Sequence, residues 1–153
     1  MDNDYELVRD VPDAETFCAL REAAGMSPRS LDGARRGLPN SVFGVRVEYG
    51  SESGDGREVV GMARIVGDGG TVFQITDMVV RPDHQGEGLG TAMMDELVAY
   101  LDREASEHAY VNLMADVDGF YERWGFEPTA PASRGMYRRI GGDGDGGDDV
   151  GNE

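Results

Sequence analysis

Between Asp83 and Thr91 the chain reads D-H-Q-G-E-G-L-G-T, and the stretch after it is strongly periodic. Leu89, Met93, Leu97 and Leu101 recur every four residues with Met94 and Val98 beside them, which makes one apolar face of a helix. Asp95, Glu96 and Asp102 fall on the solvent side. A helix N-terminus carries unpaired N–H groups and a partial positive charge. Glycines ahead of it let a ligand approach the backbone and permit positive φ. Gln85, Gly86, Glu87, Gly88, Leu89, Gly90 and Thr91 are therefore candidates for an anion site suited to phosphate or pyrophosphate. The plain alternative is a strand–turn–helix connection with convenient glycines. A P-loop is excluded because it needs a lysine, and the chain has none. The dinucleotide fingerprint is excluded because the spacing here is G-x-G-x-G, in mid-chain.

The elements that must hold this loop can be read on either side of it. Residues 71–80 are apolar and β-branched enough for a buried strand, and Pro82 ends it because proline has no N–H for a ladder. Upstream, residues 5–9 alternate as a first strand. A helix starts at Pro12-Asp13, capped by Asp13 or Thr16, and runs to Gly25. A second short helix runs from Ser27 to Arg36. Residues 41–49 and 58–66 read as strands joined by a hairpin loop over 50–57. Downstream, 109–115 is a fifth strand, and the long intervening helix makes it parallel to the fourth with a right-handed crossover. A short helix over 118–124 follows, then strand from Gly125, and 134–140 is a last strand paired with 125–130. Residues 1–140 read as one domain. Residues 141–153, GGDGDGGDDVGNE, have nothing to bury and read as a disordered acidic tail.

With these elements in place, Gln85-x-x-Gly88-x-Gly90, preceded by V-V-R-P-D-H, resembles the acetyl-CoA-binding motif Q/R-x-x-G-x-G/A of the GNAT superfamily of N-acetyltransferases. Phe120-Tyr121-Glu122-Arg123-Trp124-Gly125-Phe126, about thirty residues further on, resembles the family's L-Y-x-x-x-G-F passage. The order of elements agrees from Tyr5 to Ile140. The resemblance implies an α+β fold: a central, mostly antiparallel sheet with a splayed parallel pair of fourth and fifth strands, and flanking helices. It implies acetyl-CoA as cosubstrate and no metal. The pantetheine arm would pair like an added strand with backbone groups of Met78, Val79 and Val80. The pyrophosphate would sit on amides from Gln85 to Thr91, and a backbone N–H near Val79 would polarise the thioester carbonyl.

The same resemblance puts Tyr121 where the family often has the acid that protonates the departing thiolate; the alternative is a packed aromatic like Phe120 and Trp124. Asp77 is the candidate general base. Strand alternation puts it and Met78 on opposite faces, and its orientation stays open beside a water-relayed base. The first two helices would line the acceptor side, with substrate identity carried by residues 26–40. Arg29, Arg35 and Arg36 either contact an acidic acceptor or are solvated surface residues. The implied function is acetyl transfer to a primary amine, on a small molecule or a peptide, by direct attack in a ternary complex. The alternative is a catalytically silent acyl-CoA-binding sensor on the same fold. A homodimer is compatible with either.

Composition narrows the setting. At 153 residues one domain with a real core is expected. No apolar run approaches a membrane span, and the acidic N-terminus MDNDYELVRD lacks the apolar core of a signal peptide. The single cysteine, Cys18, reads as a small core residue. His84 and His108 show no metal-ligand spacing and read as surface residues. A net charge of −16, with 14 arginines and no lysine, disfavours a nucleic-acid partner. An anionic cosubstrate would then need local compensation, for which Arg81 is the nearest arginine. The acid-rich, lysine-free surface reads as that of a salt-adapted cytoplasmic protein: at molar salt the Debye length is about 3 Å and self-repulsion is screened.

Overall fold

The computed structural model describes residue 1 and residues 3–50 and 56–141. The tail beyond 141 and most of the 50–57 loop lie outside the described residues. Alternating and β-branched segments give β1 (Tyr5–Val8), β2 (Phe43–Tyr49), β3 (Glu58–Gly67), β4 (Val72–Val80) and β5 (Tyr110–Leu113). They lie side by side in that order in one open sheet. β1 to β4 are antiparallel neighbours, and β5 runs parallel to β4. This is the expected mixed α+β architecture.

Helices cover both faces. α3 (Leu89–Glu104) buries Leu89, Met93, Met94, Leu97 and Leu101, as its periodicity predicts. They join Val45, Val47, Ile65, Phe73 and Ile75 in the larger core cluster. On the opposite face α1 (Ala14–Ala23) and α2 (Leu31–Gly37) pack Phe17, Leu20 and Ala34 over Met62 and Val79. Asp13 caps α1 by accepting from the Thr16 N–H (2.8 Å), and Ser30 caps α2 by accepting from the Gly33 N–H (2.9 Å). The turn into β4 is fixed by Asp68, whose carboxylate accepts from the N–H groups of Gly70, Thr71 and Val72 and from the Thr71 hydroxyl. Cys18 is half-buried at the margin of the smaller cluster.

Two expectations are corrected. Neither 125–130 nor 134–140 is strand among the described residues; β5 is the last strand, and the chain beyond Trp124 runs largely exposed. A strand needs a partner as well as a pattern, and these segments pair with no strand among the described residues. His84 is not a surface residue: it is 9% exposed, its Nδ1 lies 2.8 Å from the Tyr5 hydroxyl, and its ring packs on those of Tyr5 and Tyr49. Imidazole tolerates this burial because its ring nitrogen has a hydrogen-bond partner.

Candidate active site

The parallel pairing of β4 and β5 is short. It runs from Val72 opposite Tyr110 to Ile75 opposite Leu113, where β5 ends. β4 continues to Val80, still paired with β3 on its other edge through Met62 opposite Val79 and Gly61 opposite Val80. A cleft therefore opens beside the C-terminal half of β4.

The strand changes parity at the mouth of that cleft. From Arg64 opposite Thr76 to Met62 opposite Val79, β3 advances two residues while β4 advances three. The extra residue is Asp77, whose φ of 57° is left-handed, so this is a β-bulge. Phe73 and Ile75 pack on the α3 side before it, and Met78 and Val80 do so after it. Val79 instead packs against Phe17, Leu20 and Met62 on the α1 side. The Arg81 N–H donates to the Val60 carbonyl (2.8 Å). Alternation back along the strand turns the Val79 amide toward β3 too, and those of Met78 and Val80 toward the cleft. The Val80 carbonyl accepts from Gln85 Nε2 (3.2 Å), which ties the loop to the end of the strand.

Asp77 is buried, with its side chain 5% exposed, and it is held from two sides. Arg21 Nη1, from α1, donates to Oδ1 (2.8 Å), and Arg64 Nε, from β3, donates to Oδ2 (2.7 Å). Arg21 also donates from Nε and Nη2 to the Ser27 carbonyl (3.0 and 2.8 Å), and Arg64 Nη1 donates to Ser41 Oγ (3.0 Å). The bulge is thereby fastened to α1, to the loop after it and to the entrance of β2.

The candidate anion loop follows a 3-10 turn over Pro82–His84. Gly86 (φ 84°) and Gly88 (φ 80°) are left-handed, and Gly88 is the N-cap of α3. No side chain caps this helix, and its first turn has no acidic residue, so no residue of the helix itself offsets its N-terminal field. A Cβ on Gly86 or Gly88 would meet nothing within 4 Å, so both face open space. A Cβ on Gly90 would lie 3.4 Å from the Phe120 ring, which packs on the helix start. Arg123 reaches back from the 3-10 turn Tyr121–Trp124 to donate to Thr91 Oγ1 (3.3 Å), its guanidinium over the Phe120 and Trp124 rings. Arg81, next to the loop in sequence, has a buried Nε without a hydrogen-bond partner, 3.6 Å from Asp83. Uncapped amides with an arginine on either side in sequence fit an anion. Arg123 was not foreseen as a contributor, although its place in F-Y-E-R-W-G-F was the available signal.

Tyr121 is 7% exposed and belongs to the same packed cluster as Leu89 and Met93, with Met78 and Val80 at its margin. The fold thus brings Tyr121 to the face of β4 that carries Met78 and Val80. Burial, and secondarily the Asp116 carboxylate, push its phenol up to about 12. It keeps its proton throughout the neutral range. On the acceptor side, each of the three arginines has a partner in its own chain: Arg35 donates to Glu15 (2.7 Å), Arg36 pairs with Asp32 (3.2 Å), and Arg29 donates to Ser27 Oγ (3.1 Å).

Comparison with known proteins agrees with this geometry. Residues 47–128 match the acetyltransferase (GNAT) domain family. A Staphylococcus aureus protein of known structure, described as a probable acetyltransferase, is 40% identical, with a TM-score of 0.80 over 89% of this chain and 99% of that one. The histone acetyltransferase TAP1 of Glycine max is 32% identical over 136 residues, which are 84% of this chain and 56% of the relative. The chain spans about half the length of the curated relatives it matches first. A GNAT family acetyltransferase from Brucella melitensis, solved in complex with acetyl-CoA, shares the fold (TM-score 0.57, 22% identity, 82% of this chain and 84% of that one).

Proposed function

The chain belongs to the GNAT acetyltransferase family, and from that premise we propose that it is an acetyl-CoA-dependent N-acetyltransferase that acts on a primary amine by direct attack in a ternary complex. The observation that carries this reading is the cleft beside β4. Pairing with β5 stops at Ile75, the bulge at Asp77 follows, and an uncapped helix start lies at the end of the strand.

Bound acetyl-CoA would supply its acetyl group as a thioester. In this reading the amides of Gly86 to Thr91 hold the pyrophosphate, with Arg81 and Arg123 supplying local positive charge on a chain of net −16. The backbone of Met78 and Val80 pairs with the pantetheine arm. One of their N–H groups, rather than that of Val79, points at the thioester oxygen and stabilises the charge that develops there. Holding amine and thioester in one cleft supplies much of the rate through positioning.

Tyr121 donates its phenolic hydrogen toward the departing sulfur. With its phenol near 12 it is a weaker acid than a thiol of about 8.5, so it stabilises the thiolate mainly as a hydrogen-bond donor. Asp77 was the candidate base, but both its oxygens accept from guanidinium groups. It therefore acts as a positioning residue for the bulge, and the amine's proton leaves through water.

Peptide and small-molecule amines are both open as acceptors; the likeness to a histone acetyltransferase favours including lysine peptides in any panel. The test is an acceptor screen that follows CoA release in dilute and molar KCl. Release that depends on one class of amine supports transfer. Tight CoA binding with no release on any amine would instead support the silent sensor.

A further inference from the structure

His84 ends the 3-10 turn that delivers the chain to the candidate anion loop, and Gln85 follows it directly. Its ring is buried, with Nδ1 2.8 Å from the Tyr5 hydroxyl, and it packs on the rings of Tyr5 from β1 and Tyr49 from β2. Nε2 lies 3.9 Å from Asp83 Oδ2. The other oxygen of that carboxylate, Oδ1, lies 3.6 Å from Arg81 Nε, which is buried and makes no hydrogen bond. One carboxylate is thus shared, at long range, between a guanidinium and an imidazole. The other charged groups of these elements stand off. Glu6 and Glu48, next to the two tyrosines, point to the other face of the sheet, where Arg57 lies 3.5 and 3.6 Å from them. Asp4 and Glu87 are exposed, and Glu96 of α3 is taken by Arg9.

We propose that His84 is a proton-linked positioning residue of the anion loop, and that acetyl-CoA binding takes up a proton there. The inference rests on the reading of Arg81 as one of the residues that hold the pyrophosphate. Once Arg81 directs Nε to a phosphate, its hold on Asp83 loosens. The released carboxylate then favours the charged form of His84, its other neighbour. Tyr5 permits the change without stranding a donor. With the imidazole neutral, the Tyr5 hydroxyl donates to Nδ1; with it protonated, Nδ1–H donates to the Tyr5 oxygen.

Linkage fixes the sign. If bound acetyl-CoA strengthens the hold of His84 on its proton, the proton strengthens acetyl-CoA binding by the same factor. The gain is full at the acid end of the imidazole range and is lost as pH rises through it, between about pH 5 and pH 8. It places one more positive charge next to an anionic cosubstrate on a chain of net −16.

Titration calorimetry with acetyl-CoA, in two buffers of different ionisation enthalpy, counts the protons exchanged on binding. Near pH 7 the wild type should take up protons relative to His84→Gln, the phosphates of acetyl-CoA contributing equally to both. Between about pH 6 and pH 8 its Kd should weaken about three- to tenfold more than that of His84→Gln, tenfold being one unit of pKa coupling. Asp83→Asn, at an exposed position, should lose the same difference, and it decides the matter if His84→Gln does not fold. In a His108→Asn background His84 is the one imidazole of the chain, and its NMR titration should move to higher pH when acetyl-CoA is added. Equal proton exchange and equal pH slopes in the wild type and a folded variant overturn the proposal and leave the role of the loop intact. Absence of acetyl-CoA binding at every pH overturns the reading of the loop and this inference with it.

Discussion

Arg21 Nη1 and Asp77 Oδ1 lie 2.8 Å apart, with side chains 2% and 5% exposed, and the bond joins α1 to the one left-handed residue of β4. Breaking such a pair from one side leaves an uncompensated buried charge and costs about 3–5 kcal/mol. Asp77→Ala should therefore lower the free energy of unfolding by that amount, read from the shift of the denaturation midpoint at unchanged slope. Asp77→Asn keeps the shape of the residue and separates the two roles. If Asp77 only positions the bulge, KM for acetyl-CoA rises and the acidic limb of the rate profile stays in place. Loss of that limb, with KM unchanged, would restore Asp77 as the base.

Gly88 has a φ of 80° and open space above its Cα. Gly88→Ala should cost about 1–2 kcal/mol, because an L-residue is strained in that conformation, with no steric clash inside the protein. Gly88→Val should also obstruct the approach of an anion to the amides of α3. Calorimetry should show acetyl-CoA binding weakened at least tenfold in folded protein. Undiminished binding would move the anion site elsewhere.

Much of this site was legible in the sequence, and what was not has physical reasons. α3 and its glycine loop were readable because a four-residue apolar repeat and φ-permissive residues are local signals. The orientation of Asp77 was not, because a bulge reverses strand parity and is stabilised by arginines 56 and 13 residues away. The same reversal turns the Val79 amide toward β3 and those of Met78 and Val80 away from it. His84 read as surface because its burial depends on Tyr5, 79 residues away. Residues 134–140 have strand character in sequence, but pairing is a property of two segments, and no strand among the described residues pairs with them.

Tyr121→Phe removes one hydroxyl and little packing. Single-turnover transfer should slow about 10- to 1000-fold, with acetyl-CoA affinity unchanged. The phenol lies near 12 when folded and about 10 when unfolded, so its raised value favours the folded state only while it stays neutral. Below pH 10 both states are protonated and this contribution does not vary with pH. As pH rises from 10 to 12 the unfolded chain loses its proton first, and the native state is weakened. Tyr121→Phe should lack that share of the alkaline loss. Wild-type single-turnover rates in the variant would make Tyr121 a packing residue only.

The net charge of −16 predicts a salt-dependent fold. Screening of self-repulsion should raise Tm steadily as KCl goes from dilute buffer toward molar concentration. Potassium chloride series read by circular dichroism check this. A flat or falling Tm would remove the case for salt adaptation.

The central claim is that this cleft passes an acetyl group straight from thioester to amine. Acetyl-CoA labelled in its acetyl carbon, mixed with the protein in molar KCl, tests it most directly. With a lysine peptide or small primary amine from the panel present, label should move to the amine in step with CoA release. Without an amine, label should remain on acetyl-CoA, with none on the protein. Label retained on acetyl-CoA with every amine, under conditions where calorimetry shows it bound, would contradict the account.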